Sequence, residues 1–448
     1  MKTWLKVAIV VVVLSLVGVG IWYLFFRTSS TATATATHTG TLTTSNTLTT
    51  AATNAPFLEI LHPASESINL SNGQLLNSFS LMNTSLTGLL ITNWQILLQT
   101  APTPGSTTMV ASYFTANKLG YNATYATKYL LSTCLLPQTN TGGSFSSFID
   151  STMPSNSTVS LGTDLLTVFV NNGLTNYMWL QAPTVANQSV TANTPVLLNW
   201  SSSTAVFPLA NISTTDNQSF QVQNGGMWLI GCQTLGQAPT PNSTYNEVYA
   251  TIGSSTIPFG VSRADASVLV GTTCLAPIPA GASFSFSWNQ NVASFSQSFA
   301  GQPDTYVYAT LIAPQVLDQV SYVSPIPQII PSTEPTDLVW SGGTSQSSVI
   351  VQSSPTTWQV KNAGFWLIQP QVIMTTPPTS GTPYSLYISK NGTGNYGLKL
   401  FTTTARLSTL AIVYMNVNDT FTVTMATNQL PSNSTISDGT YLNAVLIQ

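Results

Sequence analysis

Charged side chains are scarce in this chain: they make up 5% of its 448 residues, against roughly 25% in an ordinary globular protein. Lys and Arg number 10, Asp and Glu 13, and the formal net charge is −3. No basic stripe runs along any segment, so the electrostatic footprint of a nucleic-acid binder is missing. Histidine is nearly absent. His38 falls in the Thr/Ser/Ala-rich stretch before the main body and His62 just after that stretch, and neither a histidine-based triad nor a zinc cluster assembles from them within one chain. The acids are dispersed, and Glu59, Glu66, Asp216, Glu247, Asp265, Asp304, Asp419 and Asp438 read as turn and edge residues. They make neither the Asp-rich loop of a calcium site nor a legible glycosidase pair. Arg263 and Asp265 read as a local surface pair worth under about 1 kcal/mol. No catalytic residue, cofactor-binding residue or metal ligand set is expected, and the protein reads as no enzyme.

Disorder is excluded as well. Disordered chains combine low hydrophobicity with high net charge, whereas this one is 43% hydrophobic and 10% aromatic. Ser, Thr, Asn and Gln must supply most of the wetted surface. Such a surface changes little with pH, because few of its groups exchange protons. That suits an exposed setting.

One long apolar run is present. Val7–Phe26 carries no charge over 20 residues, and as a helix at about 1.5 Å per residue it spans roughly 30 Å, the thickness of a bilayer's hydrocarbon. Trp22 and Tyr23 fit an interfacial aromatic belt. Lys2 and Lys6 precede the run and only Arg27 follows it, which predicts a single-pass protein with its N-terminus inside and its ectodomain outside. Ala32-Thr33-Ala34 offers a signal-peptidase-like site, but signal h-regions run only about 7–15 residues, so an uncleaved anchor is the expectation. Residues Thr28–Asn54 alternate Thr with Ala and then turn Thr/Ser/Leu-rich, without a core pattern. They read as a stalk, either a plain linker or an O-glycosylated one.

Beyond the stalk the chain repeats itself. Gly364–Met374 reads Gly-Phe-Trp-Leu-Ile-Gln-Pro-Gln-Val-Ile-Met, a buried strand between turn-forming stretches. Trp366, Ile368 and Gln371 match Trp228, Ile230 and Gln233, and then Trp94, Ile96 and Gln99, at spacings of 138 and 134 residues. Phe145, Phe284 and Phe421 each open an alternating run after a polar turn, Trp200-Ser201 matches Trp340-Ser341, and Cys134-Leu135 matches Cys274-Leu275. Closing strands are expected at about Tyr177–Ala182, Tyr306–Ala313 and Tyr441–Gln448, with Asp164–Val170 left unplaced. The predicted organisation is a cytoplasmic tip and helix over 1–27, a stalk over 28–54, and sandwiches over 55–183, 184–313 and 314–448. Strands bounded by Gly, Pro and Asn, with no helical period after Phe26, give an all-β ectodomain. Pro325, Pro327, Pro331 and Pro335 are expected to hold the last two sandwiches in a semi-rigid line.

The third repeat resembles the tumour necrosis factor-like jelly rolls, a superfamily that includes the complement globular heads. Gly364-Phe365-Trp366-Leu367-Ile368 resembles its central Gly–aromatic–aliphatic strand, and Ser385–Gly392 looks like the next strand and turn. Leu410–Met425, with Asn418-Asp419 where the family usually has Gly-Asp, is similar to the following pair, and Asp438–Gln448 to the closing strand, with Asn443 in place of the usual Gly. The resemblance implies three tandem jelly rolls, and by extension a homotrimer packed around an aromatic axis. It also places the strand of Cys274 beside that of Cys232. An exported domain permits disulfides, so a Cys232–Cys274 bridge is expected, the other reading being two buried free thiols. Cys134 reads as a buried thiol.

N-glycosylation sequons are frequent: Asn69, Asn83, Asn122, Asn156, Asn187, Asn211, Asn217, Asn242, Asn391, Asn418 and Asn433 are candidates. Asn199, beside Trp200 on an expected strand, is a poor one. Together these features predict a membrane-anchored spike or turret protein of a virion, attaching to a host-surface glycan or coat protein through stacked jelly rolls, with the last one farthest from the bilayer. The alternative is a structural or adhesive glycoprotein of a microbial cell surface, and a surface glycosidase is a third reading.

Overall fold

The central strands of this protein do not alternate polar with apolar, and that fact shapes its architecture. An antiparallel sheet with one wet face alternates; one buried on both faces does not. The computed structural model describes the backbone of strands between residues 35 and 181, and most of 194–447 with side chains. Val7–Phe26 lies outside the described residues, and no helix among those described is long and apolar enough to cross a membrane.

All named elements are strands. The first group is β1 (Thr35–Gly40), β2 (Ser45–Leu48), β3 (Leu58–Pro63), β4 (Ile68–Leu70), β5 (Gln74–Leu81) and β6 (Gly88–Leu97). It continues with β7 (Thr107–Phe114), β8 (Asn117–Tyr125), β9 (Tyr129–Gln138), β10 (Gly143–Ser151), β11 (Ser157–Val159) and β12 (Asp164–Val170). The second group opens with β13 (Tyr177–Gln181), β14 (Val196–Leu197), β15 (Thr204–Phe207), β16 (Ile212–Ser213), β17 (Ser219–Val222) and β18 (Gly226–Leu235). It ends with β19 (Tyr245–Ile252), β20 (Phe259–Asp265), β21 (Leu269–Ile278), β22 (Ser283–Gln290) and β23 (Tyr306–Ala313). The third group is β24 (Gln319–Val323), β25 (Thr336–Asp337), β26 (Ile350–Ser354), β27 (Thr357–Val360), β28 (Gly364–Ile373) and β29 (Tyr384–Lys390). It closes with β30 (Thr393–Phe401), β31 (Arg406–Ser408), β32 (Ala411–Met415), β33 (Thr420–Thr427) and β34 (Tyr441–Ile447).

Each group forms two main sheets, and the first adds a two-stranded one of β11 and β4. The inner ones run β1-β3-β12-β6-β9, β15-β13-β23-β18-β21 and β24-β34-β28-β31, with β32 also on β28. The outer ones run β2-β5-β10-β7-β8, β16-β17-β22-β19-β20 and β26-β27-β33-β29-β30. Successive strands mostly pass from one sheet to the other, a jelly-roll-like winding. In the second and third units the space between the sheets is filled with aromatics. Trp200, Trp228, Phe284 and Trp288 fill one core; Trp340, Trp358, Trp366 and Phe421 fill the other. The matched pairs sit alike. Phe284 faces Phe220 across strands with ring centroids 5.4 Å apart, and Phe421 faces Trp358 at 6.4 Å. Trp200 and Trp340 donate their backbone N–H to Asn217 O and Pro355 O, both at 2.8 Å.

Three sequence expectations need correction. First, Tyr177–Gln181 does not close the first sandwich: β13 pairs with β15 and β23 and belongs to the second. The closing position between β3 and β6 is taken by β12, the unplaced Asp164–Val170. The unit boundary therefore falls between β12 and β13, not at 183. Second, the stretch read as a stalk contains β1 and β2, which pair in parallel with β3 and β5. Third, the repeat register in the first unit slips by four. Gly88, Gly226 and Gly364 start the three central strands 138 residues apart, facing Gln138, Ile278 and Met415. Leu90 is thus the counterpart of Trp228 and Trp366, Trp94 that of Cys232, and Gln95 that of Gln233 and Gln371. An even slip leaves every side chain on its own face, so the apolar pattern cannot detect it.

Nor do the units stand in a line. β8 of the first lies against β21 of the second, β20 of the second against β31 and β28 of the third, and β30 of the third against β9 of the first. The third unit is not a distal tip; it touches both of its siblings.

Candidate functional site

Among the described residues no cluster of three or more His, Cys, Asp or Glu side chains is placed to hold a metal ion. What stands out instead is a buried polar seam between the second and third units. Trp366, Ile368 and Val372 of β28, with Leu442, Ala444 and Leu446 of β34, point into the third unit's own core. Their alternate neighbours Phe365, Leu367, Gln369, Gln371, Tyr441, Asn443, Val445 and Ile447 point the other way, yet none is more than 3% exposed. β20, β21 and β23 of the second unit cover this face.

The covering strands β20 and β21 are edge strands of their sheets, and an edge presents backbone donors and acceptors that must be satisfied once buried. The third unit supplies the partners from side chains. Gln369 Oε1 accepts from Leu275 N, and Gln369 Nε2 donates to Thr273 O at 2.8 Å and to Ser408 Oγ at 3.2 Å. Asn443 Nδ2 donates to Leu275 O at 2.7 Å. Gln371 Oε1 accepts from Val261 N at 3.3 Å while its Nε2 donates to Pro258 O. Tyr441 Oη accepts from Gly260 N at 2.9 Å, and its ring lies 5.1 Å from that of Phe259. At the rim, Arg406 Nη1 meets Glu247 Oε1 at 2.9 Å. Gly260 makes the arrangement feasible: its φ of 60° sits in a bulge of β20, and a Cβ there would meet the Cys274 Cβ at 2.7 Å.

The expected Cys232–Cys274 bridge is corrected here: both are free, buried thiols. Cys232 lies opposite Thr272 and Cys274 opposite Ile230, a diagonal pair. Diagonal neighbours on antiparallel strands are separated by about 7–8 Å, beyond the Cα spacing of about 4.4–6.8 Å that a disulfide spans. Burial pushes the Cys232 and Cys274 thiols up, and likewise the Tyr441 hydroxyl hydrogen-bonded to Cys274. A protonated, dry thiol is a poor nucleophile. The seam holds the second and third units together.

At one end of the third unit lies an exposed network. Lys390 Nζ meets Asp419 Oδ2 at 2.9 Å, Asn391 Nδ2 donates to Asp419 Oδ1 and Asn416 N to Asp419 Oδ2, both at 2.8 Å. Partial burial alone would raise the Asp419 carboxyl, but these hydrogen bonds and the Lys390 charge outweigh it and hold it at about 2. Of the candidate sequons, Asn211, Asn217, Asn391 and Asn418 take positive φ, between 50° and 71°, a turn conformation that Asn tolerates. Asn391 is engaged on both sides of its amide, since its Oδ1 also accepts from Thr420 N at 2.8 Å. Asn69 lies on β4 opposite Thr158, and Asn122 on β8 opposite Val110. Asn83, Asn156, Asn187, Asn242 and Asn433 fall outside the described residues.

No protein family and no curated relative matches the chain. Among solved structures it is similar to rabbit GITRL, at 15% identity over 29% of this chain and 94% of that one, with a TM-score of 0.22. It is also similar to murine APRIL, at 14% identity over 29% of this chain and 98% of the other, with a TM-score of 0.23. A turret protein of an archaeal virus with a triple jelly roll fold is similar at 11% identity over 88% of both chains, with a TM-score of 0.21. The strand order of the chain itself, and not these distant likenesses, defines its fold.

Proposed function

We propose that this protein is a membrane-anchored surface spike or turret of a virion, with three tandem jelly rolls held outside the bilayer by Val7–Phe26, and that it recognises a glycan or coat protein on the host surface. The observation that carries this reading is the placement of the first and last strands. β3 starts beside Val168, which sits next to Ile91 near the start of β6, and β1 runs parallel to β3 from the same end. β34 finishes with Ile447 beside Phe365, at the start of β28. The first unit therefore begins and β34 of the third finishes at equivalent ends of their sandwiches. An anchor preceding β1 ties that end to the bilayer and turns the opposite end, where β6, β18 and β28 finish, toward a partner.

The low charge supports recognition through hydrogen bonds and aromatic surface, with little salt dependence. The test is to locate the protein and then its ligand. It is expected in purified virions, shaved from them by external protease, and the shaved virions are expected to lose host attachment. Recovery only from uninfected cell envelopes would overturn the virion assignment in favour of a cellular surface glycoprotein.

A further inference from the structure

We propose that one chain of this protein is its own trimer: its three sandwiches close a ring about a pseudo-threefold axis. The faces that three separate jelly rolls would use to associate are thereby consumed within a single polypeptide.

The contacts are cyclic and always of the same kind. In each unit the last strand of the outer sheet, β8, β20 or β30, abuts the far edge of the next unit's inner sheet at β21, β31 or β9. The third contact returns to the first unit, which a row cannot do. The closing strands β23 and β34 of the second and third units also touch.

The parts are equivalent too. All three abutting strands carry a bulge with a glycine in it: Gly120, Gly260 and Gly397, the last two with φ of 60°. A bulge twists an edge strand and re-aims its N–H groups; in β20 it delivers the N–H groups of Gly260 and Val261 to Tyr441 and Gln371. Gln371 pairs in register with Tyr441, Gln233 with Tyr306 and Gln95 with Asp164. Each inner sheet thus has a Gln at the same place, with Tyr, Tyr and Asp beside it.

Burial agrees. Tyr306, Tyr308 and Thr310 alternate with the core residues Val307, Ala309 and Leu311, so they face out of the second sandwich, yet none exceeds 2% exposure. Among the described side chains, the outward faces of β23, β28 and β34 are covered. A homotrimer built through those faces, expected from the family resemblance, has no open face there to use. Assembly must proceed through the outer sheets or the ends.

Lysine placement makes the ring testable on the full-length protein. Lys118 and Lys128 lie in the first unit and Lys361, Lys390 and Lys399 in the third, while the second has none. Lys399 is on β30 and Lys128 directly precedes β9. Detergent-extracted protein, mixed from isotopically light and heavy preparations, is treated with a short amine-reactive cross-linker and mapped by mass spectrometry. A Lys128–Lys399 bridge is expected, light joined to light and heavy to heavy. Bridges that join light to heavy would overturn the proposal. So would single-ended adducts on both lysines without any bridge between the first and third units. Neither readout involves a ligand or a virion, so failure here is distinguishable from failure of the surface role.

Discussion

Gln371 of β28 holds the backbone of Val261, a residue 110 positions earlier, through a hydrogen bond from Val261 N to Gln371 Oε1 at 3.3 Å. The same amide donates to Pro258 O, so one side chain caps two buried edge groups of another sandwich. Gln371→Leu keeps the bulk and removes both partners. Leaving a buried backbone group unsatisfied costs about 1–3 kcal/mol, and a loss in that range is expected in denaturant unfolding. Gln223→Leu, at an exposed turn, is expected to stay within about 0.5 kcal/mol of the parent.

Arg406 and Glu247 make the ion pair at the rim of the seam, with side-chain exposures of 40% and 8%. The asymmetry sets the outcome. Arg406→Ala strands a carboxylate that is nearly dry, whereas Glu247→Gln leaves a guanidinium that water reaches. The expected order of stability is parent, then Glu247→Gln with Arg406→Ala together, then Arg406→Ala alone. The single Arg variant is expected to lose about 1–3 kcal/mol, the cost of leaving a nearly buried acceptor without its donor, and a double-mutant cycle checks the coupling.

The two-unit seam and the core were unequally legible from sequence. Phe284 and Phe421 announced themselves, because large aromatics after polar turns mark buried strands, and the structure stacks each on its cross-strand partner; Trp200 and Trp340 are buried as well, just outside the named strands. Trp94 misled, because a four-residue slip preserves the inward and outward faces of a strand. Tyr177–Gln181 misled for another reason: the strands that close one unit and open the next lie adjacent in sequence and have the same apolar character. Gln369 and Asn443 carried no signal of their own in the sequence, since a polar side chain next to a core strand usually meets water. The available signal was β34, Tyr-Leu-Asn-Ala-Val-Leu-Ile, buried at every position. A strand without alternation in an antiparallel sheet must have something on its second face.

Asp419 predicts an acid-side dependence. Its carboxyl is held at about 2, below the ordinary 3.8, so the folded state binds the proton less readily than the unfolded chain. The stabilisation is complete above pH 3.8 and is lost as pH falls toward 2. The parent is expected to exceed Asp419→Asn by no more than about 1 kcal/mol at neutral pH, because the Lys390 pairing is near the surface. That gap is expected to close below about pH 3. Thermal melts of both proteins from pH 2 to 7, at low and high salt, check it.

The thiols give a direct chemical outcome. Cys232 and Cys274 are buried and protonated, so iodoacetamide is expected to leave both untouched in the native protein. In denaturant without reductant both are expected to react, because no bridge joins them. Peptide mapping that finds either one blocked until reductant is added would reinstate the disulfide.

Gly260 and Gly253 form a matched experiment on the seam. Both have left-handed φ, 60° and 57°, so replacing either by Ala carries the backbone penalty of about 1–2 kcal/mol for an L-residue in that region. They differ only in surroundings. An added Cβ at Gly253 meets nothing within 4 Å, whereas at Gly260 it meets the Cys274 Cβ at 2.7 Å and Thr273 O at 3.0 Å. Those neighbours belong to β21, a strand packed against the third unit, so relief of the clash must move β20 or β21 relative to β28 and β34. Gly253→Ala is expected to unfold as one transition, slightly earlier than the parent. Gly260→Ala is expected to lose about 1–3 kcal/mol more, the usual cost of overpacking, and to raise amide exchange at Val261 and Leu275, whose N–H groups the third unit holds. Equal stabilities for the two variants, with unchanged exchange at Val261 and Leu275, would mean that the bulge in β20 does not set the seam.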